Sequence, residues 1–170
     1  MNKLLKTAIE NLAIHTVSLR DSHTEIGEGY NSLNINGAPK KNQSFRTVVK
    51  IEVVEMKKEG DDSPPRLFYS FHYEVGSRLV SLDHSDEESS EQEDHGALAT
   101  IEARFEAIYR AKRELDKDEL QAFAARNVGY NVWPYWREYL QGTCNRMGIN
   151  PIRVPFYYEK DSDLPSEVSE

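Results

Sequence analysis

The sequence predicts an α+β fold, in which a four-stranded antiparallel sheet is followed by a long, bent helix that packs on one face of the sheet. Three observations support this prediction. Four segments alternate apolar and polar residues with the two-residue period of a strand. A segment of helical period follows them, and Gly129 and Pro134 interrupt it. A chain of 170 residues has room for one core of ordinary size, so we expect a single domain over residues 1–158.

The strands are predicted at residues 13–20, 45–56, 67–75 and 99–110. The last of them has the clearest alternation, because its apolar residues share one face and its charged residues mostly occupy the other. The polar segment 59–65 ends in two prolines, which favours a hairpin between the second and third strands. The apolar face of the fourth strand consists of Ala99, Ile101, Ala103, Phe105, Ala107 and Tyr109.

Two further segments differ in character. Residues 1–12 carry apolar residues at helical spacing, and because Lys6 and Glu10 interrupt them, we expect a short helix and no secretion signal. Residues 22–44 are rich in Gly and Asn and too long for a hairpin, which predicts a long crossover loop. Its apolar residues either pin the loop to the domain or line a binding groove, and they are Tyr30, Leu33 and Ile35.

The long helix is predicted from residue 117 to residue 147. Asp116 and Glu119 form a capping box at its start, and Gly148 ends it. Proline cannot donate an amide hydrogen bond, so Pro134 predicts a bend or a break. The apolar stripe of the second half is expected to pack on the sheet or on a second copy of the chain, and it contains Trp133, Trp136, Leu140, Cys144 and Met147.

The net charge of -8 is unevenly distributed along the chain. Residues 83–94 contain seven acidic residues and no Lys or Arg, and residues 159–170 contain five acidic residues and one basic residue. The rest of the chain holds 17 acidic against 20 basic residues, so the acidity belongs to these two segments. Runs of this composition are typical of solvated loops and tails. They predict an acidic loop at 83–95 and a flexible acidic tail at 159–170.

No residue pattern in the sequence indicates catalysis or a metal site. The five histidines do not share a metal-binding spacing, and Cys144 has neither a disulfide partner nor a motif that joins it to a base. The sequence contains no glycine-rich phosphate loop and no nucleophile elbow. No segment approaches the about 20 apolar residues that span a bilayer. We therefore expect a cytoplasmic non-enzyme without cofactor, metal site or membrane partner.

One alternative function follows from the basic balance outside the acidic segments. Bases and aromatic residues on one sheet face would suit a nucleic-acid-binding module. The signal is weak because Glu102, Glu106 and Glu114 alternate with the bases. A nucleic-acid partner is therefore the less favoured alternative, and the bases concerned are Arg104, Arg110, Lys112 and Arg113.

The second half of the predicted helix resembles the SecB export chaperones. Residues 132–152, VWPYWREYLQGTCNRMGINPI, contain an aromatic-Pro-Tyr-x-Arg-Glu core, an Arg near the helix end, and then Gly and Pro in an apolar segment. The order of strands, crossover and helix also fits, so the resemblance covers roughly residues 13–158. The matching residues, of which the last two are displaced by one position, are Trp133, Pro134, Tyr135, Arg137, Glu138, Arg146, Gly148 and Pro151.

The resemblance implies a cytosolic chaperone that binds unfolded or aggregation-prone polypeptide without ATP. It implies a homotetramer, built as a dimer of dimers. We expect a dimer or a tetramer that forms through the long helix and the first strand, with interface residues Trp133, Trp136, Leu140 and Cys144. It also implies a hydrophobic substrate groove lined by Tyr30, Leu33, Ile35, Phe45, Ile149, Ile152, Val154, Phe156, Tyr157 and Tyr158. Aromatic side chains suit such a groove because each buries about 150 to 250 Å² without requiring a particular partner sequence.

Two departures from the family pattern leave the client open. The first strand, which in the family carries the docking surface for the SecA motor, keeps only Asp21 and Glu25 of an acidic pattern. The family's closing helix is replaced by a polar tail that contains Pro165. Divergent SecB-like proteins hold an antitoxin in toxin–antitoxin–chaperone systems. The resemblance therefore implies either an exported precursor, with or without SecA as a partner, or an antitoxin as the client.

Overall fold

The computed structural model describes residues 3–57, 59–60, 62–82 and 96–157. The predicted acidic loop, the acidic tail and Tyr158 lie outside the described residues. The element order, strands first and the long helix last, confirms the predicted α+β class. In chain order the elements are α1 (Lys3–Asn11), β1 (Leu12–Ile26), α2 (Ser32–Gly37), β2 (Lys40–Met56), β3 (Arg66–Ser81), β4 (Ala99–Ala111), α3 (Lys117–Phe123), a π-helical turn (Ala124–Val128) and α4 (Gly129–Met147).

The four strands form one antiparallel sheet in the order β1-β4-β3-β2. β2 and β3 are neighbours, as the predicted hairpin requires. β1 and β2 are the two outer strands, so the segment between them crosses the whole width of the sheet. In the described part of the chain, no strand lies beside the outer edge of β1 or of β2.

The crossover is shorter than predicted, and it contains a helix. β1 continues to Ile26 and β2 begins at Lys40, because both extensions pair with neighbouring strands. This pairing outweighs the polar composition that predicted a loop. Only residues 27–39 connect the two strands. α2 begins among them because the side chain of Asn31 accepts hydrogen bonds from two backbone amides of the first helical turn.

The long helix occupies the predicted range, but its irregular turn lies earlier than expected. The π-helical turn directly precedes Gly129, whereas Pro134 lies inside α4. A π-helical turn holds one residue more than an α-helical turn. This explains why the apolar stripe restarts in a different phase beyond it. Gly148 ends the helix as predicted, in the left-handed conformation with a φ of 68°.

One face of the sheet carries the core. The rings of Phe71, Tyr109 and Phe123 pack together, with centroids 4.9 to 5.7 Å apart. The hydroxyl oxygen of the buried Tyr69 accepts a hydrogen bond from the amide of Leu115 at 2.9 Å. These contacts pack α3 against the sheet and thereby orient α4, which follows it. We call this the helix face and the opposite side of the sheet the open face.

Candidate functional site

The segment that follows α4 turns back along the helix. Trp133 lies near the start of α4, and its indole N–H donates a hydrogen bond to the carbonyl of Pro155 at 2.9 Å. Tyr157 lies still closer to the start of the helix, against Gly129 and Tyr130. Residues 149–157, which we call the strap, therefore run antiparallel to α4.

The crossover is fastened to the first residues of the strap. The side-chain amide of Asn36, on α2, donates to the carbonyl of Gly148 at 3.0 Å and accepts from the amide of Asn150 at 2.7 Å. Ile35 anchors the same helix in the core, where it is fully buried. A Cβ on Gly148 would lie 3.3 Å from the Cβ of Ser32, so the two segments are also in close steric contact.

The far end of the strap places Tyr157 in an aromatic cage. Its ring lies edge-on to Trp133 and Tyr130, at centroid distances of 5.6 and 6.2 Å. The Arg46 guanidinium, from β2, lies 4.6 Å from the centroid of Tyr157 and 5.2 Å from that of Trp133. A Cβ on Gly129 would come within 2.5 Å of the Tyr157 hydroxyl, so only glycine leaves room for this ring. We call Gly129, Tyr130, Trp133 and Arg46 the cage.

Half of the residues predicted to line a groove lie in or against the core of the chain itself. Ile35, Ile149 and Ile152 are buried. Val154 and Tyr157 are partly buried and pack against the same core. In this arrangement the strap packs beside α4 and contributes side chains to the core. The predicted groove residues Ile149, Ile152, Val154 and Tyr157 are therefore packed within their own chain.

The other predicted groove residues that the structure describes are exposed, but they do not form one surface. Leu33 is 85% exposed and Phe156 81%. Phe45 covers Gly76 on the open face, because its neighbour Arg46 points to the helix face and successive strand residues alternate. Phe45 thus lies on the opposite side of the sheet from the cage. Tyr30 is partly exposed at the start of the crossover.

The helix stripe predicted as an oligomer interface faces the core of its own chain. Leu140 and Cys144 are fully buried, Trp136 is 1% exposed and Trp133 9%. The sequence allowed either packing on the sheet or packing on a second copy, and within the chain these four residues pack as core residues. They leave almost no surface for a second copy to contact.

β2 presents exposed apolar residues along an unpaired edge. Its exposed large apolar side chains occur on both faces of the strand. Its outer edge, within the described residues, has backbone amides and carbonyls that no neighbouring strand engages. Such an edge can accept an additional strand. The exposed apolar residues beyond the middle of β2 are Val49, Val53, Val54 and Met56.

The open face is charge-balanced. Arg104 contacts Glu74 at 2.6 Å and Asp21 at 3.5 Å, and hydrogen bonding to Glu74, with the charge of Asp21, raises the pKa of its guanidinium. Glu106 accepts hydrogen bonds from Ser70 and then Arg20, and these lower the pKa of its carboxyl. Because bases here pair with carboxylates, the open face does not favour the nucleic-acid alternative.

Cys144 and the potential metal ligands among the described residues show no arrangement suited to catalysis or metal binding. Cys144 is buried, and burial raises the pKa of its thiol, which is the environment of a packing residue. Among the described residues, no group of three or more His, Cys, Asp and Glu is placed to hold a metal ion. Within those same residues, none of the helices combines the length and the apolar character that crossing a bilayer requires.

Several residues of this site were not predicted from the sequence. Asn36 belongs to an Asn-rich run that was interpreted as loop, and Arg46 was not among the predicted groove residues. Gly129 was interpreted only as a helix break, although its missing side chain is what admits Tyr157. The period of two gave no signal for Arg46, because the register shift between Val48 and Lys50 is what places Arg46 on the same face as Ile51.

No family model and no curated protein matches this sequence. Among solved structures, the chain is similar to the Mycobacterium tuberculosis Rv1957 SecB-like chaperone, determined in complex with a ChAD peptide from the Rv1956 HigA1 antitoxin. The two share 14% sequence identity and superpose with a TM-score of 0.62, over 94% of this chain and 99% of the other. The resemblance inferred from the helix motif is thereby confirmed at the level of the fold.

Proposed function

We propose that this chain, which has a SecB-like fold, is a chaperone that binds non-native polypeptide. The observation that carries the proposal is the unpaired outer edge of β2, which is lined with exposed apolar residues in a fold shared with a peptide-binding chaperone. The proposed client is an extended segment with apolar side chains. It belongs to an aggregation-prone antitoxin or to an exported precursor.

An extended client gains two kinds of interaction at this edge. Its backbone adds a strand to β2 by hydrogen bonds that do not depend on sequence. Its side chains cover apolar residues such as Val53, which is 59% exposed. Burial contributes about 25 cal/mol per Å², and three or four covered side chains offset the several kcal/mol that ordering an extended segment costs. Binding of this kind needs no ATP, no cofactor and no catalytic step.

An antitoxin is favoured over an exported precursor as the client, because little of the surface that would dock SecA is available. Asp21, one of the two acids that the first strand retains, is paired with Arg104. Glu25, the other, lies 3.3 Å from His23. Acids that are already engaged offer less attraction to a basic partner. The structural neighbour was determined with an antitoxin peptide, which supports the same choice.

We also propose that copies of the chain associate through β1. Ile14 and Leu19 lie in the row of β1 that continues the apolar helix face, and they are 48% and 46% exposed. Exposed rows of this kind mark interaction surfaces. A dimer, or a tetramer built from two dimers, would bury them, and it would use the exposed side of α4 in place of the four buried stripe residues.

The proposal is tested by aggregation of a denatured model protein in the presence of the purified chain, followed by light scattering without ATP. We expect a stoichiometric amount of the chain to suppress scattering. Val53→Asp introduces a charge beside the β2 edge, which opposes strand addition, so this variant should suppress scattering less. Ile9→Asp, at an exposed apolar residue of α1, is the control and should suppress scattering as the unmodified chain does. Unabated scattering with the unmodified chain would refute the proposal.

A further inference from the structure

We infer that the cage is a binding site for one aromatic side chain of an extended polypeptide, and that Tyr157 occupies it in the free chain in place of a client residue. This inference rests on the proposed function and names both a class of client residue and a means of regulating its binding. The cage is assembled from β2 and the start of α4, and the strap supplies its occupant, Tyr157, which the sequence predicted as part of a groove lining.

The geometry of the cage selects a flat ring. Trp133 and Tyr130 present their rings edge-on to Tyr157, an arrangement that aromatic pairs favour. The guanidinium of Arg46 covers the ring, as expected for a cation–π contact. Gly129 completes the cage by leaving out the side chain that would collide with the ring. These contacts are made to the ring itself, so Phe, Tyr or Trp of a client satisfies them.

A hydrogen bond to the backbone of the strap accompanies the binding of the Tyr157 ring. The indole N–H of Trp133 donates to the carbonyl of Pro155, two residues before the caged Tyr157. Every residue has a carbonyl, so this hydrogen bond does not depend on the residue at that position. The site therefore recognises an extended segment in which an aromatic residue follows a free carbonyl by two positions. Trp133 supplies both the wall of the cage and the donor.

The far end of the strap is held by the cage contacts of Tyr157 and by the hydrogen bond from Trp133 to Pro155, and a client segment that makes the same contacts can replace them. The first half of the strap is held by the Asn36 hydrogen bonds and by the buried Ile149 and Ile152. Beyond residue 150 the backbone is neither helix nor strand, and Phe156, next to the caged residue, is 81% exposed, with the Arg137 guanidinium 4.9 Å from the centroid of its ring. A client can therefore replace Tyr157 while the anchored half stays in place.

The tethered ring competes with a client because of its high effective concentration. Short tethers present a group at about millimolar concentration. If the cage is open in about one molecule in ten, the apparent affinity for an external ring falls about tenfold. The strap thus acts as an intramolecular competitor. A client segment binds only if its affinity for the cage is high enough to displace Tyr157.

The test uses a fluorescent peptide with the sequence of residues 153–157, RVPFY, and measures its binding to the full chain by anisotropy. We expect Tyr157→Ala to bind this peptide about tenfold more tightly than the unmodified chain, because the competitor has been removed. The same peptide with Ala in place of Tyr should show no such gain. Tyr135→Ala, an exposed aromatic residue of α4 outside the cage, is the control and should bind like the unmodified chain.

A double variant separates the cage from a general gain of apolar surface. Gly129→Ala combined with Tyr157→Ala places a methyl group where the ring would lie, and alanine is well tolerated in a helix. We expect the double variant to lose the tenfold gain. Retention of the gain in the double variant would overturn the assignment of the cage.

Hydrogen exchange of the unmodified chain measures displacement of the strap without any substitution. Saturating peptide should speed the exchange of amides in residues 153–157 of the chain, because displacement frees the end of the strap. Unchanged or slower exchange contradicts the inference.

If the chain suppresses aggregation but Tyr157→Ala binds the peptide no more tightly, the inference alone fails. If no chain binds either peptide or denatured protein, the proposed function fails with it.

Discussion

Asn36 joins two segments that lie 112 residues apart in the sequence. Its one amide group donates to the carbonyl of Gly148, at the end of α4, and accepts from the amide of Asn150 in the strap. Backbone carbonyls at a helix C-terminus lack partners within the helix, and polar side chains can satisfy them. A single polar side chain in the crossover thereby determines where the strap begins its path toward the cage.

Glu119 illustrates a residue whose charge contributes to folding. It accepts hydrogen bonds from Arg113 and from the amide of Asp116, and the Arg113 contact is the main reason that its pKa lies below the usual value of 4.5. A carboxyl whose pKa is lower in the folded chain stabilises the fold above pH 4.5, and this stabilisation is lost as pH falls through the folded-state pKa.

We therefore expect Glu119→Gln to lower the free energy of unfolding near neutral pH and to have a smaller effect at about pH 3. Urea unfolding of both chains at the two pH values measures the difference. Glu114→Gln, on an exposed neighbour, is the control and should have little effect at either pH. An effect of Glu119→Gln that stays constant across this range would contradict the assignment.

At the scale of elements, the end of α4 determines the direction of the strap. Gly148 adopts a φ of 68°, which costs any other residue about 1 to 2 kcal/mol. Its carbonyl accepts the hydrogen bond from Asn36, and its neighbour Ile149 is buried. The reversal of the chain at this residue brings the strap back beside the helix that precedes it.

Gly148→Ala should therefore lower the free energy of unfolding by about 1 to 2 kcal/mol. The same substitution at Gly142, inside regular α4, should raise it by up to about 1 kcal/mol, because alanine favours the helix. Thermal and urea unfolding of the two variants give the comparison. Equal effects at both positions would mean that backbone conformation does not control the helix end.

At the scale of the whole molecule, one face of the sheet is covered by helices, and among the residues that the structure describes no further strand pairs with either outer strand. β1 carries an apolar row on the helix face, and β2 carries apolar residues on both faces. The two edges therefore differ in chemistry. This difference underlies the proposal that one edge meets another copy of the chain and the other meets a client.

We expect Leu19→Asp to reduce the molecular mass in solution, because a charge in the β1 row opposes burial of that row between copies. Light scattering coupled to size-exclusion chromatography measures the mass. Ile9→Asp on α1 provides the comparison and should leave the mass unchanged. A mass that is the same for all three chains would argue against assembly through β1.

The sequence by itself determined the strands, the long helix, the capping box and the glycine that ends the helix. These features depend on the period of apolar residues and on local capping chemistry, which neighbouring residues in the chain supply. The helix motif also indicated the SecB-like fold, which the structural comparison confirms. Periodicity could not set the length of the crossover, because pairing with β3 and β4 extends the strands into it.

Only the tertiary structure decided which apolar residues are covered. Leu33 and Ile35 lie two positions apart in one short helix, yet the first is 85% exposed and the second fully buried. Phe156 and Tyr157 are adjacent aromatic residues, and only the second meets Arg46 and Trp133. Burial depends on which distant segments reach a side chain, and the cage requires β2, α4 and the strap to meet at a single point.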